Sequence, residues 1–246
     1  MELTPTYLRT VALKPGTRIA TEYPLSIPAI RHMETVELHP AVTFFIGENG
    51  SGKSTLLEAL AVHAGINAEG GSSGFQFSTK SSHSNLHELI RVVKGFRMPK
   101  DRYFLRAESF YNVATEIERL ERERAGLLAS YGGKSLHTVS HGESFLALLM
   151  ERFRGDGLYL LDEPEAALSP ARQLAVLSLI HRLVRANSQF IIATHSPILM
   201  AYPHAKILAF SEEGIHEVDY KDTEYYRVTH DFLNRTDVML RELLAE

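Results

Sequence analysis

The residues best equipped for chemistry begin at Gly47-Glu48-Asn49-Gly50-Ser51-Gly52-Lys53-Ser54, which fits the spacing G-x-x-x-x-G-K-[ST]. Glycines at these positions let backbone N–H groups curl around a β-phosphate. The N-terminus of a following helix adds the positive end of its dipole. Lys53 is expected to bridge β- and γ-phosphates and the Ser54 hydroxyl to ligate Mg²⁺; Thr55, next to them, is counted with the cradle.

A second group closes the run Leu158-Tyr159-Leu160-Leu161-Asp162-Glu163. Such an apolar run reads as a strand buried on both faces. Acids at its C-terminal end fall in the crevice where open α/β sheets bind ligands. Adjacent strand residues point to opposite sides, so the two acids can do different work. Asp162 is expected to hold magnesium through water, and Glu163 to polarise the attacking water. The next apolar run, residues 190–193, leads into Thr194 and His195. His195 is expected to hydrogen-bond the γ-phosphate and orient the water.

A third segment, Val139-Ser140-His141-Gly142-Glu143, precedes a strongly apolar helix. Ser140 and Glu143 have the spacing of a capping box. Capped in this way, Ser140 and Gly142 would form a second anion-binding tip. It lies too far along the chain for the first cradle, which predicts service to another subunit's nucleotide. Other groups read as plain structure. His83 and His87 lack a third metal ligand and read as a solvated face. The Tyr225-Tyr226 pair and the C-terminal helix read as packing.

The elements that must position these residues follow from periodicity. Val42 to Ile46 is β-branched and aromatic and predicts a strand. The apolar spacing of Ser54 to Ala64 predicts a helix. Residues 65–84 are rich in Gly, Ser and Asn and read as an irregular loop. Further helices are expected over 86–94, 112–128, 140–153, 170–186 and 225–244, and extended segments over 102–107, 158–161, 189–193 and 205–210. Residues 1–46 read as short extended segments broken by prolines. The β-α-β order predicts parallel strands with helical crossovers, an α/β fold.

Composition narrows the class. The 246 residues include no Cys, which excludes a disulfide framework, a thiol nucleophile and Cys-ligated metal sites. With 44% hydrophobic and 23% charged residues the chain is too apolar for disorder. A net charge of −4 gives no overall basic field for nucleic acid. No apolar run approaches a membrane span. The N-terminus lacks the apolar stretch of a secretory signal. The expectation is a soluble cytoplasmic protein.

Taken in order, the phosphate loop, the Ser140 segment, the strand ending in Asp-Glu and the following His resemble the ABC-type P-loop ATPases over Val42 to Phe210. The resemblance implies a mainly parallel sheet flanked by helices, with an N-terminal antiparallel β part and a small helical insert. It implies a single domain over 1–246: a nucleotide-binding core of 1–107 and 154–220, a helical signature subdomain of 108–153, and a C-terminal helix of 221–246. It also implies hydrolysis of ATP to ADP and phosphate in a homodimer that sandwiches two Mg-ATP head to tail. Ser140, Gly142 and Glu143 would then reach the γ-phosphate in trans. The segment stands as VSHGE where that family usually has LSGGQ, so His141 replaces a glycine. The family's magnesium-side Gln has two candidate positions here, Glu108 and Gln76. The adenine stacker carries no motif, and Tyr23 is one candidate.

The strings GENGSGKSTLLEAL and DEPEAALSP resemble the soluble branch that includes RecF, SMC and OLD-like ATPases. That branch implies a DNA or nuclease/effector partner in DNA maintenance, repair or phage defence. The short gap between Glu108 and Ser140 leaves no room for an SMC coiled coil. The alternative is the ATP-binding subunit of an ABC membrane transporter with a permease partner. Against it, residues 109–128 are charged, without an apolar docking face. A small-molecule kinase would need a lid and an acceptor site, and leaves the signature and His195 unexplained.

Overall fold

The computed structural model describes residues 6–17, 22–68, 70–72, 84–107, 119 and 141–245. Its N-terminal part runs β1 (Leu8–Leu13), α1 (Pro28–Arg31), β2 (Val36–Glu37), β3 (Val42–Ile46), α2 (Lys53–His63) and β4 (Gly71–Ser72). Then come α3 (Leu86–Leu89), β5 (Ile90–Lys94) and β6 (Asp101–Arg106). The C-terminal part runs α4 (His141–Arg152), β7 (Gly157–Asp162), α5 (Pro170–Arg185), β8 (Gln189–Ala193) and α6 (Pro197–Met200). It closes with β9 (Lys206–Ser211), β10 (Gly214–Glu217), α7 (Glu224–Asn234) and α8 (Thr236–Leu243).

The main sheet has the order β10-β9-β3-β8-β7-β6-β4. Its five inner strands are parallel, and β10 and β4 pair antiparallel at the edges. A second sheet, β2-β1-β5, is antiparallel. The expected α/β class with an antiparallel N-terminal part is therefore the observed one.

Every residue of β3, β7 and β8 is buried, because both sheet faces are covered. Alternation sorts their side chains into two cores. Val42, Phe44, Tyr159, Leu161, Phe190 and Ile192 face one core with Leu148 of α4 and Leu179 of α5. Phe45, Leu158, Leu160, Ile191 and Ala193 face the other, with Leu56 and Leu60 of α2 and Val11 of β1. The buried Gln189 amide ties the two sheets together. Its oxygen accepts from Tyr7 N and Leu8 N at 2.9 Å each, and its nitrogen donates to Leu8 O and His39 O. Its polar atoms are thus satisfied inside the core, where an unpaired amide would be costly.

Three local expectations are corrected. Residues 86–94 form a single helical turn and then β5, because Ile90 and Val92 pack toward the core as β5 pairs with β1. The proline-broken N-terminal stretch includes α1, with Pro28 in its first turn, where a missing N–H costs nothing. The C-terminal helix is two helices broken at Arg235. There Thr236 Oγ1 donates to Phe232 O at 2.6 Å, in competition with the helical ladder.

Candidate functional site

Register brings the site together. Phe45 of β3 and Asp162 of β7 both pair with Ala193 of β8, so the three strands end level. The residues that follow are Gly47, Glu163 and His195, at the C-terminal edge of the sheet. Further ties hold this edge: Glu163 N donates to Ala193 O at 2.9 Å and Thr194 N to Phe45 O at 3.1 Å.

The phosphate loop needs its glycines. Gly47 has φ 138° and Gly52 has φ 101°, and a Cβ on Gly47 would stand 2.6 Å from Phe210 O. Gly52 leads into α2 with no side-chain cap, so the first-turn N–H groups, those of Lys53, Ser54 and Thr55 among them, remain for a ligand. Glu48, Asn49 and Gly50 are exposed at the loop's tip. Ser51 Oγ is buried and has no hydrogen-bond partner among the described residues. An orphaned hydroxyl beside uncapped N–H groups fits an anion in this cradle.

Lys53 is only 4% exposed. Its Nζ donates to Gly47 O at 2.7 Å and Glu48 O at 2.8 Å, which leaves one of its three protons for a phosphate oxygen. Burial lowers its pKa, while Glu163, Asp162 and Glu165 pull it back up. Ser54 Oγ donates to Asp162 Oδ1 at 2.9 Å. Asp162 shares the alternation of Leu158 and Leu160, which face α2, and this parity aims it at Ser54. The two oxygens form a hard-donor pair suited to magnesium, which usually takes few protein ligands and completes its shell with water and phosphate.

Glu163 sits at φ 49°, ψ 51°, a left-handed conformation for a non-glycine residue. That backbone costs on the order of 1 kcal/mol and turns the carboxylate out of the strand's alternation. Its Oε1 lies 3.4 Å from His195 Nε2. His195 is held from behind: its backbone N–H donates to Glu165 Oε1 at 2.6 Å, and Nδ1 lies 2.9 Å from the Tyr225 hydroxyl. That hydroxyl donates to Gly47 O at 2.8 Å. Tyr225 packs against the core, as read, and its hydroxyl also joins the site.

Arg106 was also missed. It lies directly abreast of Asp162 in the β6–β7 register. Its Nη1 donates to Glu58 Oε1 at 2.5 Å and its Nε stands 3.5 Å from Asp162 Oδ2. The only sequence signal for it was its place one residue before the end of the extended segment 102–107. Tyr23, the candidate base stacker, is 59% exposed, and its hydroxyl lies 3.4 Å from Thr55 Oγ1 above the first turn of α2.

The remaining candidates are only partly visible. Gly142 and Glu143 fall in the first turn of α4. Arg152 anchors the far end of that helix to Asp101 of β6 through two 2.8 Å hydrogen bonds. Ser140, Glu108 and Gln76 lie outside the described residues. A cleft of about 660 Å³ opens on the outer flank of the phosphate loop, among Glu48, Glu212, Glu213, Asp222 and Glu224. That acidic lining disfavours a polyphosphate in the cleft. Among the described residues, no helix is long and apolar enough to cross a membrane.

Two family models match the chain. One, described as an AAA domain, matches residues 26–124. The other, an AAA-domain model whose description also names the AbiEii toxin and Type IV TA system, matches residues 130–201. The hemin import ATP-binding protein HmuV of Burkholderia thailandensis is 31% identical over 208 residues, which cover 70% of this chain and 75% of that protein. The iron(3+)-hydroxamate import ATP-binding protein FhuC of Bacillus subtilis is 28% identical over 61% of each. Among solved structures, cbiO1 of Clostridium perfringens, part of the ABC transporter complex cbiONQ, is similar in fold: it superposes with a TM-score of 0.53 at 16% identity, over 95% of this chain and 97% of that one. The chain spans between about a quarter and three-fifths of the length of several other curated relatives, 26% and 32% in two of them and 61% in FhuC. With its phosphate loop, its parallel sheet and these matches, the chain belongs to the P-loop ATPases of the ABC/AAA type.

Proposed function

We propose that the chain binds Mg-ATP at the Gly47–Ser54 loop and hydrolyses it to ADP and phosphate while paired head to tail with a second copy. The observation that carries this reading is the convergence of Lys53, Ser54, Asp162, Glu163 and His195 on one edge of the sheet. Lys53 and the α2 N-terminus take the β- and γ-phosphates. Magnesium, held by Ser54 and through water by Asp162, would neutralise charge on the phosphate oxygens. Glu163 takes a proton from water as the water oxygen bonds the γ-phosphorus; the bond to the bridging oxygen breaks, and that oxygen leaves with ADP. His195 orients the water or the γ-phosphate.

In this reading residues 1–107 and 154–220 are the nucleotide-binding core, and 108–153 carry the signature. Ser140, Gly142 and Glu143 complete the partner copy's site, and Glu108, or Gln76, serves the magnesium side. Hydrolysis is coupled to a DNA or nuclease/effector partner in DNA maintenance, repair or phage defence. The match to AAA-domain models, one naming a toxin–antitoxin system, supports that branch. The second reading is the ATP-binding subunit of a membrane importer, supported by the names of HmuV and FhuC.

One experiment separates them. The Glu163→Gln variant with ATP-Mg²⁺ is expected to accumulate an ATP-bound dimer and to retain its partner in a pull-down. DNA or a nuclease in that complex supports the first reading, and a permease overturns it in favour of the second. Normal ATP hydrolysis by the variant overturns the role of Glu163.

A further inference from the structure

The Tyr225 hydroxyl has one proton, and that proton is committed. It is donated to Gly47 O at 2.8 Å, and a carbonyl oxygen can only accept. The 2.9 Å contact with His195 Nδ1 must therefore run the other way, with Nδ1–H donating to the tyrosine oxygen. Burial raises the Tyr225 pKa, so the hydroxyl keeps its proton across the neutral range. The two rings meet edge-on, 5.3 Å between centroids, which limits rotation of the imidazole. His195 Nε2 is buried, has no hydrogen-bond partner among the described residues, and faces Glu163 Oε1 at 3.4 Å.

We propose that Tyr225 is a positioning residue that locks His195 in the Nδ1–H tautomer and ties it to the phosphate loop through the Gly47 carbonyl. In this tautomer a neutral ring would turn an acceptor, not a donor, toward the reacting centre. Nε2 and Glu163 Oε1 are two acceptors on one side, suited to orienting the protons of the attacking water. Nε2 donates to a γ-phosphate oxygen only after gaining a second proton. Because Tyr225 lies in the first turn of α7, the same bond couples that helix to the Gly47–Ser54 loop. The catalytic half of this proposal rests on the ATPase reading; the tautomer does not.

The test reads both halves separately. In nucleotide-free protein, ¹⁵N shifts of the His195 ring are expected to show the proton on Nδ1. In Tyr225→Phe, which keeps the ring and loses the hydroxyl, they are expected to move toward the Nε2–H form or a mixture. The same variant is expected to lose about 10–10² in kcat, with KM for ATP within about twofold, as when a histidine loses the partner that fixes its tautomer. Tyr226→Phe is expected to change neither. A wild-type proton on Nε2, or a Tyr225→Phe spectrum and kcat like those of wild type, overturns the proposal. Absence of ATP hydrolysis in the wild-type chain would sink the ATPase reading instead, and the ring spectrum would still decide the tautomer.

Discussion

Arg106 stands abreast of Asp162, its Nε 3.5 Å from Oδ2, so the carboxylate assigned to magnesium already faces a fixed positive charge. The same guanidinium holds Glu58 through Nη1. All three side chains are largely buried, at 21%, 6% and 14% exposure for Arg106, Asp162 and Glu58. Removing one member of a buried charge group costs about 3 kcal/mol. Arg106→Ala is therefore expected to lower Tm by roughly 6–12 °C in a chain of this size. Arg106→Lys keeps the charge but not the fork that reaches two acids, and should recover only part of the loss. A thermal melt matching wild type for Arg106→Ala would show that this charge group contributes no net stability.

Nucleotide affinity is expected to depend on Lys53. Its Nζ is the buried cation of the loop, and charge-assisted hydrogen bonds to phosphate are stronger than neutral ones. Lys53→Ala should weaken ATP binding by about 10²-fold, the weight of roughly 3 kcal/mol in charged hydrogen bonds. Titration calorimetry with ATP-Mg²⁺ measures it, and an unchanged Kd removes Lys53 from the phosphate site.

Glu163 links strain to function. Glycine has no Cβ penalty at its φ of 49°, so Glu163→Gly is expected to stabilise the fold by about 1 kcal/mol, or some 2–4 °C in Tm. It should simultaneously lose about 10²–10⁴ in turnover with the general base gone. Glu163→Gln should show the same loss of turnover without the gain in Tm. A Tm for Glu163→Gly at or below that of wild type would mean that the backbone is not strained there.

Pairing is tested at Ser140. Ser140→Arg should leave binding of ATP to the monomer largely intact and abolish the ATP-dependent dimer. Light scattering reads the mass, and a dimer of undiminished population counts against completion of the site in trans.

Stability at high pH is expected to depend on Tyr7. Burial, with a smaller contribution from Asp156, pushes its phenol up to about 12, and its hydroxyl donates to Asn187 O at 2.8 Å. The folded state therefore holds this proton after the unfolded chain has released it near pH 10. The contribution is fully present below pH 10 and is lost as pH rises toward 12. Chemical denaturation of wild type across that window should show a steeper decline than Tyr7→Phe. Parallel declines would mean that Tyr7 titrates alike in both states.

Much of this was legible from local pattern. Lys53 and Ser54 stand at fixed spacing in one loop, and their geometry is carried by two glycines and the start of one helix. The runs 42–46, 158–161 and 190–193 are mostly apolar on both faces because both faces are covered, so strand and class could be read from composition. Alternation placed Asp162 on the α2 face, but it missed the left-handed turn at Glu163, which takes that carboxylate out of the alternation and depends on how the chain leaves β7. Residues 86–94 failed because four helix-compatible residues precede a segment whose form is decided by pairing with β1.

The tertiary structure alone decided which distant groups meet. Tyr225 reaches Gly47 across 178 positions, and Gln189 reaches Tyr7 across 182. Arg106 finds Glu58 and Asp162 because register sets β6 beside β7 and packing lays α2 against the sheet. Spacing encodes what a loop or one helical turn can do, since neighbours along the chain are neighbours in space. The proton on His195 is set by a tyrosine from another element, and no periodicity along the chain carries that information.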